Sequence, residues 1–167
     1  MKIGFYQGNP IKLVEDCAAL KPVFFPSVPR LYNKIYGALQ ARFNALTGCK
    51  RWLLNRGLAA KQANLEANGA VRHGCFDMLL FGKAAEMLGG NVRAMLTGSA
   101  PIDKQVIDFL KICFSCPIQE GYGLTESSAS GAFMRPDDMV TGHVGGPVEV
   151  MKMRIKSLPE MEYMVED

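Results

Sequence analysis

The sequence predicts an α/β fold, a mostly parallel sheet flanked by helices and organised around a βαβ unit. Three segments carry that expectation. "VRAMLTGSAP" (92–101) reads as a strand running into a Gly/Ser/Pro turn. "DKQVIDFLKICF" (103–114) sets Val106, Ile107, Leu110, Cys113 and Phe114 on one helical face. "PIQEGYG" (117–123) reads as a second short strand entering a second glycine turn. Strand–helix–strand at this length implies a parallel pair joined by a crossover helix. Both turns then lie at the carboxyl ends of neighbouring strands, where open α/β sheets bind ligands.

The other elements follow in chain order. A small helical piece opens "CAALKPVFFPSVPRLY", and "VFF" between prolines reads as a short buried strand. From Pro29 a helix is expected, with Leu31, Ile35, Leu39, Phe43 and Leu46 at three- and four-residue spacing. "TGCK" (47–50) interrupts it. A more polar helix follows from about Arg51 to Asn68, with Gly69 as its stop. Phe76, Leu79, Leu80, Lys83, Ala84, Met87 and Leu88 mark one further amphipathic helix, ended by Gly89-Gly90. Asp103 is the expected N-cap of the crossover helix, and Pro117 stops it. The tail adds the glycine-rich "GHVGGP" (142–147) and an alternating strand "VMKMRIKS" (150–157). The chain then closes on "MEYMVED" with no terminating element, as if cut from a longer protein.

Bulk composition bounds the function. The 167 residues suffice for one ordinary core or for part of a larger domain. A formal charge of +3 arises from 19 basic and 16 acidic residues, too mixed to argue for nucleic acid. No apolar run reaches the roughly 20 residues of a membrane-spanning helix. The five cysteines (17, 49, 75, 113 and 116) form no disulfide framework. With no signal peptide at the start, reduced cytosolic thiols are the default. Cys113-Phe-Ser-Cys116 has CxxC spacing, but zinc needs two more ligands and the chain offers only His73 and His143. A redox CxxC opens a helix, whereas this one closes one, so buried thiols are the favoured reading.

"EGYGLTESS" (120–128) holds the most concentrated chemistry. Gly121-Tyr-Gly123 begins like GxGxxG, but Glu126 occupies the sixth position where a dinucleotide fingerprint needs a small residue. No Walker loop is present, since "LTGCK" lacks the leading Gly and the Ser/Thr after lysine. What the segment offers is close backbone approach and unusual φ at Gly121 and Gly123, a flat face at Tyr122, a hydroxyl at Thr125 and a hard oxygen ligand at Glu126. The competing reading is a Thr/Glu helix cap after a glycine turn, with Tyr122 in the core. On spacing alone the two stand level.

"GYGLTE" resembles the YGxTE signature of the adenylate-forming superfamily, and "TGSAP" (97–101) resembles that family's Gly-Gly-Ala-Pro turn. The two in order, one helix apart, are more specific than either alone. "GFYQGN" (4–9), "LKPVFFPSVPRLYNKIY" (20–36), "KRWLL" (50–54), "LGGNVRAMLTGSAPI" (88–102) and "TGHVGGPVE" (141–149) look like long-chain fatty acyl-CoA synthetases of the eukaryotic type. The resemblance covers essentially the whole chain. It implies the N-terminal domain fold of adenylate-forming enzymes, with residues 1–167 a single partial domain from its middle. It implies activation of a long-chain fatty acid with ATP and Mg²⁺ to an acyl-adenylate, then thioester formation with CoA. Gly98, Ser99 and Ala100 would line one wall of the crevice. Glu120, Gly121, Tyr122 and Gly123 would form the other, with Tyr122 against adenine. Thr125 would contact phosphates and Glu126 would help hold Mg²⁺, these two carrying the catalytic assignment. Phe24, Phe25, Val28 and the 142–146 loop are candidates for the acyl slot, and His143 equally for a turn cap.

Several parts of the family pattern have no match here. These are the lysine-ended phosphate loop upstream, the Tyr-x-x-Gly-Asp segment downstream, and the hinge and lid with its catalytic lysine. The expectation is a fragment inactive by itself and prone to self-association. Any membrane association would come from segments outside this chain. The full-length protein would then work in the cytoplasm or on the cytoplasmic face of membranes. Two alternatives stand beside this reading: a non-catalytic interaction module, and a ligase for a medium-chain, bile or aryl acid.

Overall fold

A computed structural model describes residues 2–9, 12–161 and 163–165. Its centre is the expected βαβ unit. Strand β2 (Ala94–Thr97) leads through α6 (Lys104–Phe114) to the parallel strand β3 (Ile118–Tyr122). Asp103 caps α6 as its composition predicts, its Oδ1 accepting the Gln105 N–H at 2.7 Å. The expected face of α6 is the buried one: Ile107, Leu110 and Cys113 are fully enclosed.

Strand β1 (Phe24–Ser27) pairs parallel with β2 and forms one edge of the sheet. Its edge position explains how it accommodates Pro26, which has no N–H to donate. Beyond β3 the sheet continues through β4 (Ala132–Phe133) and β5 (Gly146–Pro147), both antiparallel. The result is a mixed five-stranded sheet in sequence order, flanked by helices. The three longer strands are parallel; the two short ones are too brief for their alternation to be legible.

Around the sheet lie α1 (Leu13–Leu20), α2 (Pro29–Asn44) and α3 (Gly48–Asn68). α2 follows its 3.6-residue apolar pattern, burying Tyr32, Ile35 and Leu39. α3 starts three residues earlier than its polarity suggested, because extended Thr47 is the N-cap and Gly48 already lies in the helix. Gly69, at φ 72°, ends it as expected.

Three expectations fail. "VFF" is not a buried strand: β1 runs Phe24–Ser27 and, lying at the sheet edge, buries Phe25 but leaves Val23 and Phe24 exposed. The single helix over 76–88 is instead α4 (Gly74–Phe76), a π-helical turn (Asp77–Phe81) and α5 (Gly82–Glu86). The wide turn shifts the register, so Leu79 is exposed while Phe81 is buried. The alternating stretch 150–157 forms no strand, since β5 ends the sheet and no further strand joins it among the described residues. Val150 and Ile155 are accordingly exposed. Among the described residues no helix is long and apolar enough to cross a membrane.

A buried ion pair ties the helical layer together. Lys61 of α3 is fully enclosed; its Nζ lies 4.5 Å from the Phe81 ring centroid. It donates to Asp77 Oδ1 and, at 2.7 Å, to Ser115 Oγ. Asp77 Oδ2 accepts the His73 N–H at 2.8 Å. Burial pushes the Asp77 carboxyl up, but its bonds from Lys61 and His73 outweigh this and hold it below the usual carboxylate range. The folded value lies under the unfolded one, about 3.9, so Asp77 stabilises the fold above that pH. The contribution is lost as pH falls through the folded value. Asp77→Ala strands a buried ammonium and should cost about 3 kcal/mol. Lys61→Met keeps the stem packed and leaves a carboxylate that is partly open to water, so its cost should be smaller, about 1–2 kcal/mol. Urea denaturation at pH 7 measures both, and a larger loss for Lys61→Met would contradict the asymmetry.

Candidate active site

The carboxyl ends of β1, β2 and β3 open onto a crevice of about 730 Å³. β1 contributes Pro26 and Ser27, and β2 contributes Leu96 and Thr97 with the following Gly98 and Ser99. β3 contributes Gly121 and Tyr122, followed by Gly123, Leu124 and Thr125. The return segment, with Ser128, Ala129, Ser130, Ala132 and Phe133, completes the wall. Seven of these side chains carry a hydroxyl, and none is Lys, Arg, Asp or Glu. A neutral, hydroxyl-rich wall with an aromatic ring suits a polar uncharged group such as a nucleoside.

The two turns meet closely. A Cβ on Gly98 would lie 3.0 Å from the Gly121 carbonyl oxygen, so this residue's lack of a side chain lets the strands' ends approach. At Gly123 the constraint is harder, since a Cβ would lie 2.2 Å from Ala129 O. Neither glycine has positive φ, nor has Gly121, so the unusual φ expected at Gly121 and Gly123 is not found there. Unusual φ falls instead on Ser99 (73°), Ser128 (54°) and Ala129 (66°), all at the crevice. Such conformations cost roughly 1–2 kcal/mol each for a non-glycine residue and concentrate at ligand-binding sites.

The segment after β3 winds into a 3-10 turn, Thr125–Ser127. Ser127 secures it: the Leu124 N–H donates to Ser127 Oγ at 2.9 Å, and the Ser127 hydroxyl donates to Leu124 O at 3.1 Å. Neither Thr125 nor Glu126 supplies a cap, and Tyr122 is 48% exposed, so the cap-and-core alternative does not hold. Thr125 and Tyr122 face the crevice together. Glu126 is exposed one residue further along, and its carboxylate makes no hydrogen bond or ion pair among the described residues. Ala100 lies outside the lining. Glu120 also turns elsewhere: it is buried, and Oε1 accepts the Gly142 N–H at 3.4 Å. Ser27, Thr97, Ser128, Ser130 and Phe133 were not anticipated. Ser27 and Thr97 could have been found from the in-register ends of β1 and β2.

An apolar groove of about 620 Å³ adjoins the crevice, sharing Pro26 and Ser27 with it. Tyr6, Leu13, Phe25, Val28 and Leu31 supply its apolar wall. Two acyl-slot candidates, Phe25 and Val28, thus line it; Phe24 and the 142–146 loop line neither cavity. His143 Nδ1 accepts the Gly145 N–H at 3.0 Å, which is the turn-capping role. The CxxC pair is inert: Cys113 and Cys116 are buried, and burial pushes the Cys116 thiol up to about 12. No group of three or more His, Cys, Asp or Glu gathers as a metal site among the described residues.

Residues 1–167, the whole chain, match the model of the AMP-binding enzyme family. The chain belongs to the AMP-binding enzyme family. It is 42% identical over 165 residues to the peroxisomal long chain acyl-CoA synthetase 6 of Arabidopsis thaliana, covering 99% of this chain and 23% of that one. It is 39% identical over 163 residues to long-chain-fatty-acid–CoA ligase 1 of Homo sapiens, covering 98% of this chain and 23% of that protein. The chain thus spans about a quarter of the curated relatives it matches. Among solved structures it resembles the A domain of a carboxylic acid reductase from Segniliparus rugosus, in complex with AMP and a co-purified carboxylic acid. That match has a TM-score of 0.55 at 22% identity, covering 93% of this chain and 20% of the other. The A-PCP didomain of the same enzyme matches with a TM-score of 0.53 at 20% identity, covering 98% and 19%. These likenesses establish the fold of an adenylate-forming enzyme N-terminal domain for this AMP-binding family chain.

Two substitutions probe the turns at the crevice. Ser99→Gly relieves the positive φ and should stabilise by roughly 0.5–1 kcal/mol, after the entropy glycine adds to the unfolded chain. Gly123→Ala forces Ala129 to move and should destabilise by about 2 kcal/mol or more. Thermal unfolding measures both; a stabilised Gly123→Ala would refute the packing argument.

Proposed function

We propose that the protein containing this chain is a long-chain fatty acyl-CoA synthetase, and that residues 1–167 are the middle part of its N-terminal domain. The observation that carries the proposal is the crevice itself. Its neutral hydroxyl-rich walls come from the TGSAP and EGYGLTE turns, at adjacent parallel strand ends, beside an apolar groove. In this reading the fatty-acid carboxylate oxygen attacks the α-phosphorus of ATP. The bond to the β-phosphate oxygen breaks, and pyrophosphate leaves. The CoA sulfur then attacks the acyl carbonyl carbon, and AMP departs as the thioester forms.

The chain's own residues position the reactants. Gly98 and Gly121 set the width of the slot, and the exposed face of Tyr122 stacks on adenine. Thr125 offers its hydroxyl to the phosphates. Ala100 and Glu120 act indirectly, Ala100 through the turn it closes and Glu120 by anchoring β3 to Gly142. The Glu126 carboxylate, free of protein partners, fits Mg²⁺, which commonly takes one or two carboxylates and completes its shell from phosphate and water. When bound there, Mg²⁺ would neutralise charge on the departing pyrophosphate. Glu126 and Thr125 are thus the two residues proposed to act on the reacting phosphates.

The crevice walls carry no charged side chain. The adjoining groove has the cations Arg30 and Lys34 in its lining, and the lysine-ended phosphate loop of the family pattern has no match in this chain. The isolated chain is therefore expected to release no pyrophosphate from palmitate, ATP and Mg²⁺, and clear turnover would refute that expectation. In the full-length protein, Glu126→Gln should lower kcat by about 10²-fold, the scale of losing one electrostatic contributor. A pyrophosphate-release assay across chain lengths tests reaction and substrate class together. Activity on aryl or medium-chain acids but not palmitate would overturn the long-chain assignment.

A further inference from the structure

Thr97 poses a problem that the crevice resolves. It lies at the end of β2, in register with Ser27 on β1 and Glu120 on β3. It is 1% exposed, and its Oγ1 has no hydrogen-bond partner. A hydroxyl buried without a partner costs about 1–3 kcal/mol, so native structures rarely keep one without use. Its in-register neighbour does not satisfy it: the Glu120 carboxylate is turned to the Gly142 N–H. Thr97 nevertheless belongs to the crevice wall. One staggered step about χ1 carries its hydroxyl to a different position without moving the backbone.

Its position indicates which part of a ligand it would meet. The hydroxyl-lined crevice and the apolar groove share only Pro26 and Ser27, and Ser27 is the register partner of Thr97. A ligand with its polar end in the crevice and its chain in the groove must place the atoms joining the two halves at this junction. In an acyl-adenylate those atoms are the carbonyl of the mixed anhydride.

We infer that the Thr97 hydroxyl donates a hydrogen bond to the carboxyl-derived oxygen of the acid being activated, at the junction of crevice and groove. The inference rests on the acyl-adenylate reading above and adds a substrate-contacting residue outside the glycine turns. It also explains the missing partner, because the hydroxyl stays unsatisfied until substrate arrives.

The test uses the full-length protein with Thr97→Val, which keeps shape and deletes the hydroxyl, and Thr97→Ser, which restores it. Two probes are titrated by calorimetry: AMP, and palmitoyl-sulfamoyl-adenosine, a stable acyl-adenylate mimic that retains the carbonyl oxygen. Thr97→Val should weaken the mimic about tenfold and leave AMP within twofold, with Thr97→Ser close to wild type. The ligand-free Thr97→Val protein should melt no lower than wild type, since it loses only an unsatisfied group. Unchanged affinity for the mimic with a lowered melting temperature would overturn the inference and make Thr97 a structural residue. Equal losses for AMP and mimic would overturn it in favour of a nucleotide contact. Wild-type protein that binds neither probe would sink the inference together with the adenylate reading, whereas the other two results leave that reading standing.

Discussion

Ile107, Leu110 and Cys113 are fully buried along one face of α6, and that contact decides where the chemistry can occur. α6 packs against α2, α3, α5 and β3 at once. Fully burying each large apolar side chain contributes about 1.5–3 kcal/mol, and α6 buries seven residues in eleven. A helix so enclosed cannot slide or rotate without opening cavities on several sides. β2 and β3, joined through it, are therefore held in a single parallel register. The turns that follow them can meet across a gap in which a Cβ at Gly98 would lie only 3.0 Å from Gly121 O.

Polar anchors then fix the elements that hydrophobic burial leaves free. The Tyr32 hydroxyl lies 2.9 Å from Phe25 O and 3.1 Å from Leu96 O, so one donor on α2 is shared between β1 and β2. That contact lies directly before Pro26 and Thr97, which line the crevice. Lys111 is fully buried, and its Nζ donates to Met139 O at 2.8 Å, drawing the 138–142 loop onto α6. Thr141 adds a hydrogen bond to Asp108 on the same helix. Burial pushes the Lys111 ammonium down, with Asp108, Glu120 and Asp138 opposing that shift. Each anchor is directional where apolar packing is not, and each ties a loop or strand end to a helix.

The parts of this arrangement legible from sequence are those whose signals are local and periodic. α2 and α6 repeat every 3.6 residues, and the TGSAP and EGYG turns follow apolar runs of strand length. Asp103 and Gly69 are readable because capping chemistry acts over two or three residues. The failures share a cause, dependence on a distant partner. The alternation in 150–157 suits a strand, but a strand needs a neighbour, and among the described residues none lies on the outer side of β5. The π turn at Asp77–Phe81 shifts the apolar register, and the Asp77 pairing with Lys61 spans sixteen residues. Of the crevice lining, Gly121, Tyr122, Gly123 and Thr125 were legible within one segment, and Gly98 and Ser99 within another. Ser27 and Thr97 were not, since their relevance arises from strand register across an edge of the sheet.

Under the acyl-adenylate reading proposed above, the crevice also accounts for a division of labour. Its seven hydroxyls and two aromatic rings would orient a nucleoside and a carbonyl, but they carry no charge to neutralise a triphosphate. Hydroxyl donors retain their geometry whether the ligand is charged or neutral, so they serve substrate and adenylate alike. Charge stabilisation that changes along the reaction has to be supplied by groups that approach with the phosphates, and Glu126 stands exposed at the rim rather than within the wall. The strained backbone at Ser99, Ser128 and Ala129 fits the same scheme. Rigid packing beneath the turns holds these residues in costly conformations before any ligand arrives. The slot is thus shaped in advance of any ligand.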